Sequence, residues 1–283
     1  MTSARFIGFW GVFPDGFQRE DARVQHVAEL FVDERWPWSP WWVCSTQVGS
    51  LTKETRSKRV AGGAKGAAHL ATTILDPETA TMWFSCRKRG ESLAIALLET
   101  GRTMIGCDWR YRLKTYGQTR AHALPEGRTI ESWISMIHEL MTTLDVANAV
   151  LPVYTTDAAV HADLTFGSIV LDSRWTGRTD LGPGPSFSEQ NDRANWWRRE
   201  LGASYVRNAR WGTYLRDHHV EAIGGLDRIR REVDPARVTV LGPLVYFQLT
   251  ETVDEALTDV CEAKRRAFDT LLAPILPPPR ETP

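Results

Sequence analysis

No window of the chain approaches the roughly eighteen uncharged apolar residues that a membrane-crossing helix needs. The opening Met1-Thr2-Ser3-Ala4-Arg5 runs straight into Phe6-Ile7-Gly8-Phe9-Trp10, without the longer apolar stretch and small-residue cleavage site of a secretory signal. Cysteine is scarce: Cys44, Cys86, Cys107 and Cys261 are scattered through 283 residues. That spacing excludes a disulfide framework and reads as buried free thiols in a reducing, cytoplasmic compartment. Charge of either sign is not in excess, since 34 Lys and Arg stand against 35 Asp and Glu for a net −1. The balance argues against a general nucleic-acid or membrane-surface binder, although a local patch stays open.

Familiar catalytic signatures are missing as well. A phosphate-cradling loop needs two glycines with four residues between them, then Lys and a hydroxyl; Gly62-Gly63-Ala64-Lys65-Gly66 has neither the spacing nor the hydroxyl. Gly-x-Gly-x-x-Gly does not occur, nor does a Gly-x-Ser-x-Gly elbow. The seven histidines (His26, His69, His122, His138, His161, His218, His219) include no His-Glu-x-x-His pair for zinc. His138 flanks an apolar helix face and reads as a border histidine. His218 and His219 sit about 100° apart on a helix, so one faces solvent while the other packs. Asp157, Asp163 and Asp172 fall near expected strand ends, where catalytic carboxylates and ordinary turn aspartates both occur. No metal and no cofactor is expected, and the chain reads as a binder rather than an enzyme.

Hydrophobic residues at 42% and charged residues at 24% are an ordinary globular balance. The twelve tryptophans are not ordinary, and they cluster at Trp36, Trp38, Trp41 and Trp42 and again at Trp196-Trp197. Tryptophan serves cores first and binding hot spots second. The earlier cluster follows a helix and suits a plug between that helix and a sheet. In Trp196-Trp197-Arg198-Arg199, consecutive helical residues cannot all face inward, which leaves an aromatic and basic surface for a partner. Stacking on a nucleobase is the alternative use of the same surface.

The periodicity predicts a strand over 5–13, ended by Pro14-Asp15-Gly16, and a helix over 19–35 with Val24, Val27, Ala28 and Phe31 on one stripe. A short strand over 41–48 and a basic, glycine-rich loop over 50–66 follow, then a helix through Leu75. Strands are expected over 81–87, 92–100 and 105–116, with Gly117 to Arg128 connecting two halves. A helix from Ile130 carries Trp133, Ile134, Ile137, Leu140, Met141 and Leu144 on one face. Strands over 149–154, broken by Pro152, and 166–171 come next, then a Gly/Pro loop near 174–188 and a helix over 189–200. Short helices over 217–223 and 226–233 flank Gly224-Gly225, and a hairpin over 237–249 turns at Gly242-Pro243. The last helix is expected to start from a Thr252 and Glu255 capping box. The expected fold is α/β (α+β): a mixed, largely antiparallel sheet with packed amphipathic helices. It forms a single domain over 1–283 with two intimately associated lobes, about 1–117 and 129–283.

Three stretches carry a family resemblance. Phe6-Ile7-Gly8-Phe9-Trp10-Gly11, followed by an amphipathic helix, resembles the start of bacterial polymorphic-toxin immunity proteins of the immunity protein 52 type. Arg210-Trp211-Gly212-Thr213-Tyr214-Leu215, continuing through His219-Val220-Glu221-Ala222-Ile223-Gly224-Gly225, resembles the C-terminal signature of those proteins and of related type VI immunity proteins. Between them, the helix from Ile130 and Asp145-Val146-Ala147-Asn148-Ala149-Val150 match a helix running into a buried strand. The segments 50–66 and 174–188 depart from that pattern as insertions. The resemblance implies neutralisation of a cognate protein toxin by tight binding, with no catalytic residue transferred. Trp10, Trp211, Tyr214 and Gly224-Gly225 are then architecture. Trp36, Trp38, Trp196, Trp197, Arg198 and Arg199 are the candidate partner contacts. Two other readings stay open: a hydrolase-like enzyme using the carboxylates above, and a nucleic-acid-associated module using the Trp-Arg run.

Overall fold

The computed structural model describes residues 5–12, 20–35, 41–47, 58–60, 62–88, 91–99, 112–119, 129–154, 206 and 208–276. Strands β1 (Arg5–Val12), β2 (Trp41–Gln47), β3 (Lys58–Val60), β4 (Thr79–Lys88), β5 (Glu91–Glu99) and β6 (Arg112–Thr119) precede the long central helix. After it come β7 (Asn148–Leu151), β8 (Val153–Tyr154), β9 (Gly212–Arg216), β10 (Arg237–Leu241) and β11 (Leu244–Gln248). They form one eleven-stranded sheet in the order β10-β11-β9-β7-β1-β6-β5-β4-β2-β3, with β8 also on β1. Every ladder described is antiparallel. The protein thus has a mixed α/β fold on an antiparallel sheet. β1 lies at the middle, paired with β6 on one side and with β7 and β8 on the other, so it joins strands from both parts of the chain.

The register sorts side chains into two faces. Gly11 aligns with Ala149, Ala149 with Tyr214, and Tyr214 with Tyr246, placing these four on one face. α3 (Ile130–Thr143) lies over that face, alongside α1 (Arg23–Phe31) and α2 (Gly63–Leu75). The Gly11 position is what lets α3 come close: a Cβ there would meet Met141 Sδ at 2.9 Å. On the same face Phe9 packs against Trp133, and Phe31 stacks on Phe84 with centroids 4.3 Å apart. Each such fully buried ring contributes roughly 1.5–3 kcal/mol from area alone. On the opposite face α6 (Asp259–Leu272) sets Phe268 edge-on against Phe247 at 5.3 Å.

Local chemistry explains several element ends. α3 opens with a reciprocal box: Ser132 N donates to Thr129 Oγ1 at 3.1 Å, and Thr129 N to Ser132 Oγ at 3.3 Å. Pro152 supplies no amide to a ladder and divides β7 from β8, as the sequence reading expects. Between α4 (Asp217–Ala222) and α5 (Gly225–Glu232), Gly224 has φ +101°, a conformation that glycine tolerates and β-carbon residues resist.

Some expectations shift. The first helix is shorter than 19–35, covering Arg23–Phe31. Part of the expected 50–66 loop is ordered into β3 and the first turn of α2, which begins at Gly63. β6 continues through Gly117 to Thr119, into the stretch read as a connection. The capping box at Thr252 does not start the last helix. Glu255 does accept from the Thr252 amide at 3.0 Å, but the residues that follow form a 3-10 turn over Asp254–Leu257. α6 starts at Asp259, with Thr258 Oγ1 accepting from Cys261 N. Leu257 and Val260, apolar residues around that start, are 40% and 62% exposed. The expected strand over 166–171, the 174–188 loop and the helix over 189–200 lie outside the described residues. Among the described residues, no helix is long and apolar enough to cross a membrane.

Candidate functional site

The most concentrated polar chemistry in the described residues sits where α3 crosses β9 and β11. Helical phase sets His138 beside Ile134 and Met141 on the sheet-facing side of α3, and pleat phase raises Tyr214 and Tyr246 beneath it. His138 Nδ1 and the Tyr214 hydroxyl are 2.8 Å apart; the imidazole tautomer decides which of them donates. The His138 ring also meets Tyr246 edge-on at 4.6 Å, and the two tyrosine rings lie 4.7 Å apart. Gly212 makes room for Tyr246, because a Cβ there would stand 2.9 Å from both Leu151 Cβ and Tyr246 Cε2.

The network continues along the sheet. Tyr246 donates its hydroxyl to Gln248 Oε1 at 3.1 Å, and Gln248 Nε2 donates to the carbonyls of Thr250 and Glu251 at 2.8 and 3.0 Å. Trp211 Nε1 donates to Thr250 Oγ1 at 2.9 Å, so the buried indole has its polar partner. Trp211 and Tyr214 are therefore built into the core, as expected of architectural residues. So is Trp10, at 3% exposure.

Electrostatics keep this cluster neutral. Burial, assisted by the Arg237 charge, pushes the His138 imidazole down to about 4. Burial raises Tyr214 well above the ordinary tyrosine value, with Tyr246 adding to the effect, and burial also raises Tyr246. The hydroxyl thus holds its proton far above the pH at which the imidazole accepts one. No proton passes between them near neutrality. The pair positions α3 on the sheet; it is not poised as an acid and base.

Ion pairs hold the C-terminal part of α3. Arg35 forks onto Glu139, with Nη1 to Oε1 at 2.6 Å and Nη2 to Oε2 at 2.8 Å, and it also holds Asp33. The hydrogen bond from Arg35 holds the Glu139 carboxyl below its usual range. Just past the C-terminus of α3, Asp145 turns through φ +51°, and Arg216 reaches its carbonyl and carboxylate at 2.6 Å and the Val146 carbonyl at 3.0 Å. On α6, hydrogen bonds from Arg265, then Arg266, pull Glu262 down to about 2.

His218 and His219 divide as expected: His218 is exposed and His219 is buried. Among the described residues, neither ring nitrogen of His219 has a hydrogen-bond partner, and burial, then the His218 charge, lowers its imidazole to about 4. Cys261 is a free buried thiol, which burial raises above its ordinary value. Among the described residues, no group of three or more His, Cys, Asp or Glu is placed to hold a metal ion.

Trp36, Trp38, Trp196, Trp197, Arg198 and Arg199 lie outside the described residues, as do Asp157, Asp163 and Asp172. The structure instead brings together His138, Tyr214, Tyr246 and Gln248. The sequence reading noted His138 and Tyr214 singly and missed their meeting; the sequence signal for it is the alternation of Tyr246 and Gln248 within the hairpin.

No protein-family model matches the chain, and no curated protein matches it. Among solved structures, the Pseudomonas aeruginosa T6SS protein PA0821 is similar, with a TM-score of 0.55 and 10% sequence identity. The likeness covers 97% of this chain and 74% of that one, and at such identity it speaks for the fold alone.

Proposed function

We propose that this chain is an immunity-type inhibitor that binds and neutralises a cognate bacterial toxin delivered by a type VI or other contact-dependent route. The observation that carries the reading is the fold likeness to a T6SS protein, which extends over 97% of the chain. The resemblance of 210–225 to the immunity-protein signature supports it independently. That stretch packs as scaffold here: Trp211, Tyr214 and Leu215 are buried, and Gly224 and Gly225 take left-handed backbone.

Neutralisation by occlusion asks for a rigid platform, because each flexible group ordered on binding costs affinity. The α3–β9–β11 junction offers that rigidity, with its titratable side chains engaged in the hydrogen bonds and ion pairs above. Toxin contact is assigned to Trp36, Trp38, Trp196, Trp197, Arg198 and Arg199, whose aromatic and guanidinium chemistry suits a desolvated hot spot.

The test is co-expression with a toxin gene encoded next to this one. Rescue of growth, a co-purifying complex, and loss of both on W197A with R199E are the expected results. A toxin that still kills and never co-purifies overturns the reading.

A further inference from the structure

β10 ends the sheet, and its outer side has no strand partner among the described residues. The hairpin fixes which backbone groups face outward. Leu241 pairs with Leu244 across the two-residue Gly242-Pro243 turn, closing a hydrogen-bonded pair. Leu249 N donating to Trp211 O confirms the phase, since odd-numbered residues of this strand point their amides to β9 and even-numbered ones to β10. The amides and carbonyls of Arg237, Thr239 and Leu241 therefore face β11. Those of Val238 and Val240 face outward.

Native edge strands are usually blunted by lysine, proline, a bulge or a covering loop. β10 reads Arg237-Val238-Thr239-Val240-Leu241, has no bulge against β11, and leaves Val240 62% exposed. Its one charge lies at its first residue.

We propose that β10 pairs edge to edge with β10 of a second copy of this chain, antiparallel and centred on Thr239. The strand is self-complementary in this register. Val238 of each copy faces Val240 of the other, and the two outward pairs exchange four backbone hydrogen bonds. Val238 and Val240 share a face, so four valines gather on one side. Arg237 falls opposite Leu241 of the other copy, and the two guanidinium-bearing residues lie four positions apart, about 14 Å along the strands. A parallel pairing in register would set them side by side at about 4.8 Å, which the like charges oppose. Five residues of strand edge supply only part of the roughly 800 Å² per partner of a standard interface, so a micromolar dimer is expected.

Sedimentation equilibrium of the full chain from about 1 to about 200 μM reads this directly. The wild type is expected to shift from monomer to dimer. Val240→Pro removes only an outward amide, and Val240→Lys places a blunting charge on the edge; both are expected to remain monomeric with unchanged circular dichroism. Thr239→Cys, opposite its own copy, is expected to cross-link under mild oxidation above the wild-type background, and Val240→Cys is not. A wild-type monomer over the whole range overturns the proposal, as does a dimer that persists in folded Val240→Lys. Toxin neutralisation is scored separately and does not depend on this result.

Discussion

His138 on α3 and Tyr214 on β9 meet through a 2.8 Å hydrogen bond although 76 positions separate them. The contact pins the central helix to the strand that carries the C-terminal signature stretch. Tyr214 is fully buried, and the bond satisfies its hydroxyl. Removing the hydroxyl strands the imidazole nitrogen in a desolvated place. Tyr214→Phe is expected to destabilise the fold by about 1–3 kcal/mol, read as a lower urea midpoint at unchanged slope. A change within about 0.5 kcal/mol would mean that the bond contributes nothing net.

The same burial makes the fold sensitive to acid. Both His138 and His219 have folded-state values near 4, below the ordinary 6.5. The unfolded chain takes up protons first, so the stability these groups contribute is whole above pH 6.5 and falls between 6.5 and 4. Urea unfolding at several pH values across that window is expected to show a loss of the order of several kcal/mol. A flat profile there contradicts the assignment of both histidines as buried and neutral.

His219 offers a sharper case, because neither of its ring nitrogens is paired among the described residues. A buried polar group without partners costs free energy, whereas an apolar replacement of similar shape carries no such penalty. His219→Phe is therefore expected to be neutral or stabilising by up to about 2 kcal/mol, and to flatten part of the acid profile. A loss of more than about 1 kcal/mol in thermal or urea unfolding would show that the imidazole has a favourable role.

Much of the fold was legible in the residues, and the reasons are local. Period-two and period-3.6 patterns found β4, β5 and α3, and Pro152 marked the break between β7 and β8, because these signals depend on near neighbours. The start of α6 was misplaced because Thr252-x-x-Glu255 and Thr258 are rival caps six positions apart. The 3-10 turn between them is settled by packing: Cys261 is buried, while Leu257 and Val260 are left outside. The His138–Tyr214–Tyr246 cluster was not legible as a unit. It needs the hairpin register, the β9–β11 pairing and the crossing of α3, and each of these is long-range. The partner contacts were assigned from composition alone, since adjacent tryptophans and arginines signal a surface without fixing its geometry.

Two glycines on the helix-covered face separate a flexible neighbour from a rigid one. A Cβ at Gly11 meets Met141 Sδ at 2.9 Å, and an unbranched thioether chain can swing aside. A Cβ at Gly212 meets Leu151 Cβ and Tyr246 Cε2, both at 2.9 Å. The first is the stem of a packed strand residue; the second belongs to a ring held by Gln248 and by the His138 edge contact. Relief at Gly212 must therefore part β9 from its neighbours or tilt Tyr246 out of the network. Gly11→Ala is expected to cost about 1 kcal/mol, and Gly212→Ala about 2–3 kcal/mol, both from overpacking. Gly212→Ala should also expose Tyr246, raising the tyrosine fluorescence response to a soluble quencher, whereas Gly11→Ala should not. Equal costs, or the reverse order, would show that the Met141 side of the sheet is the stiffer one.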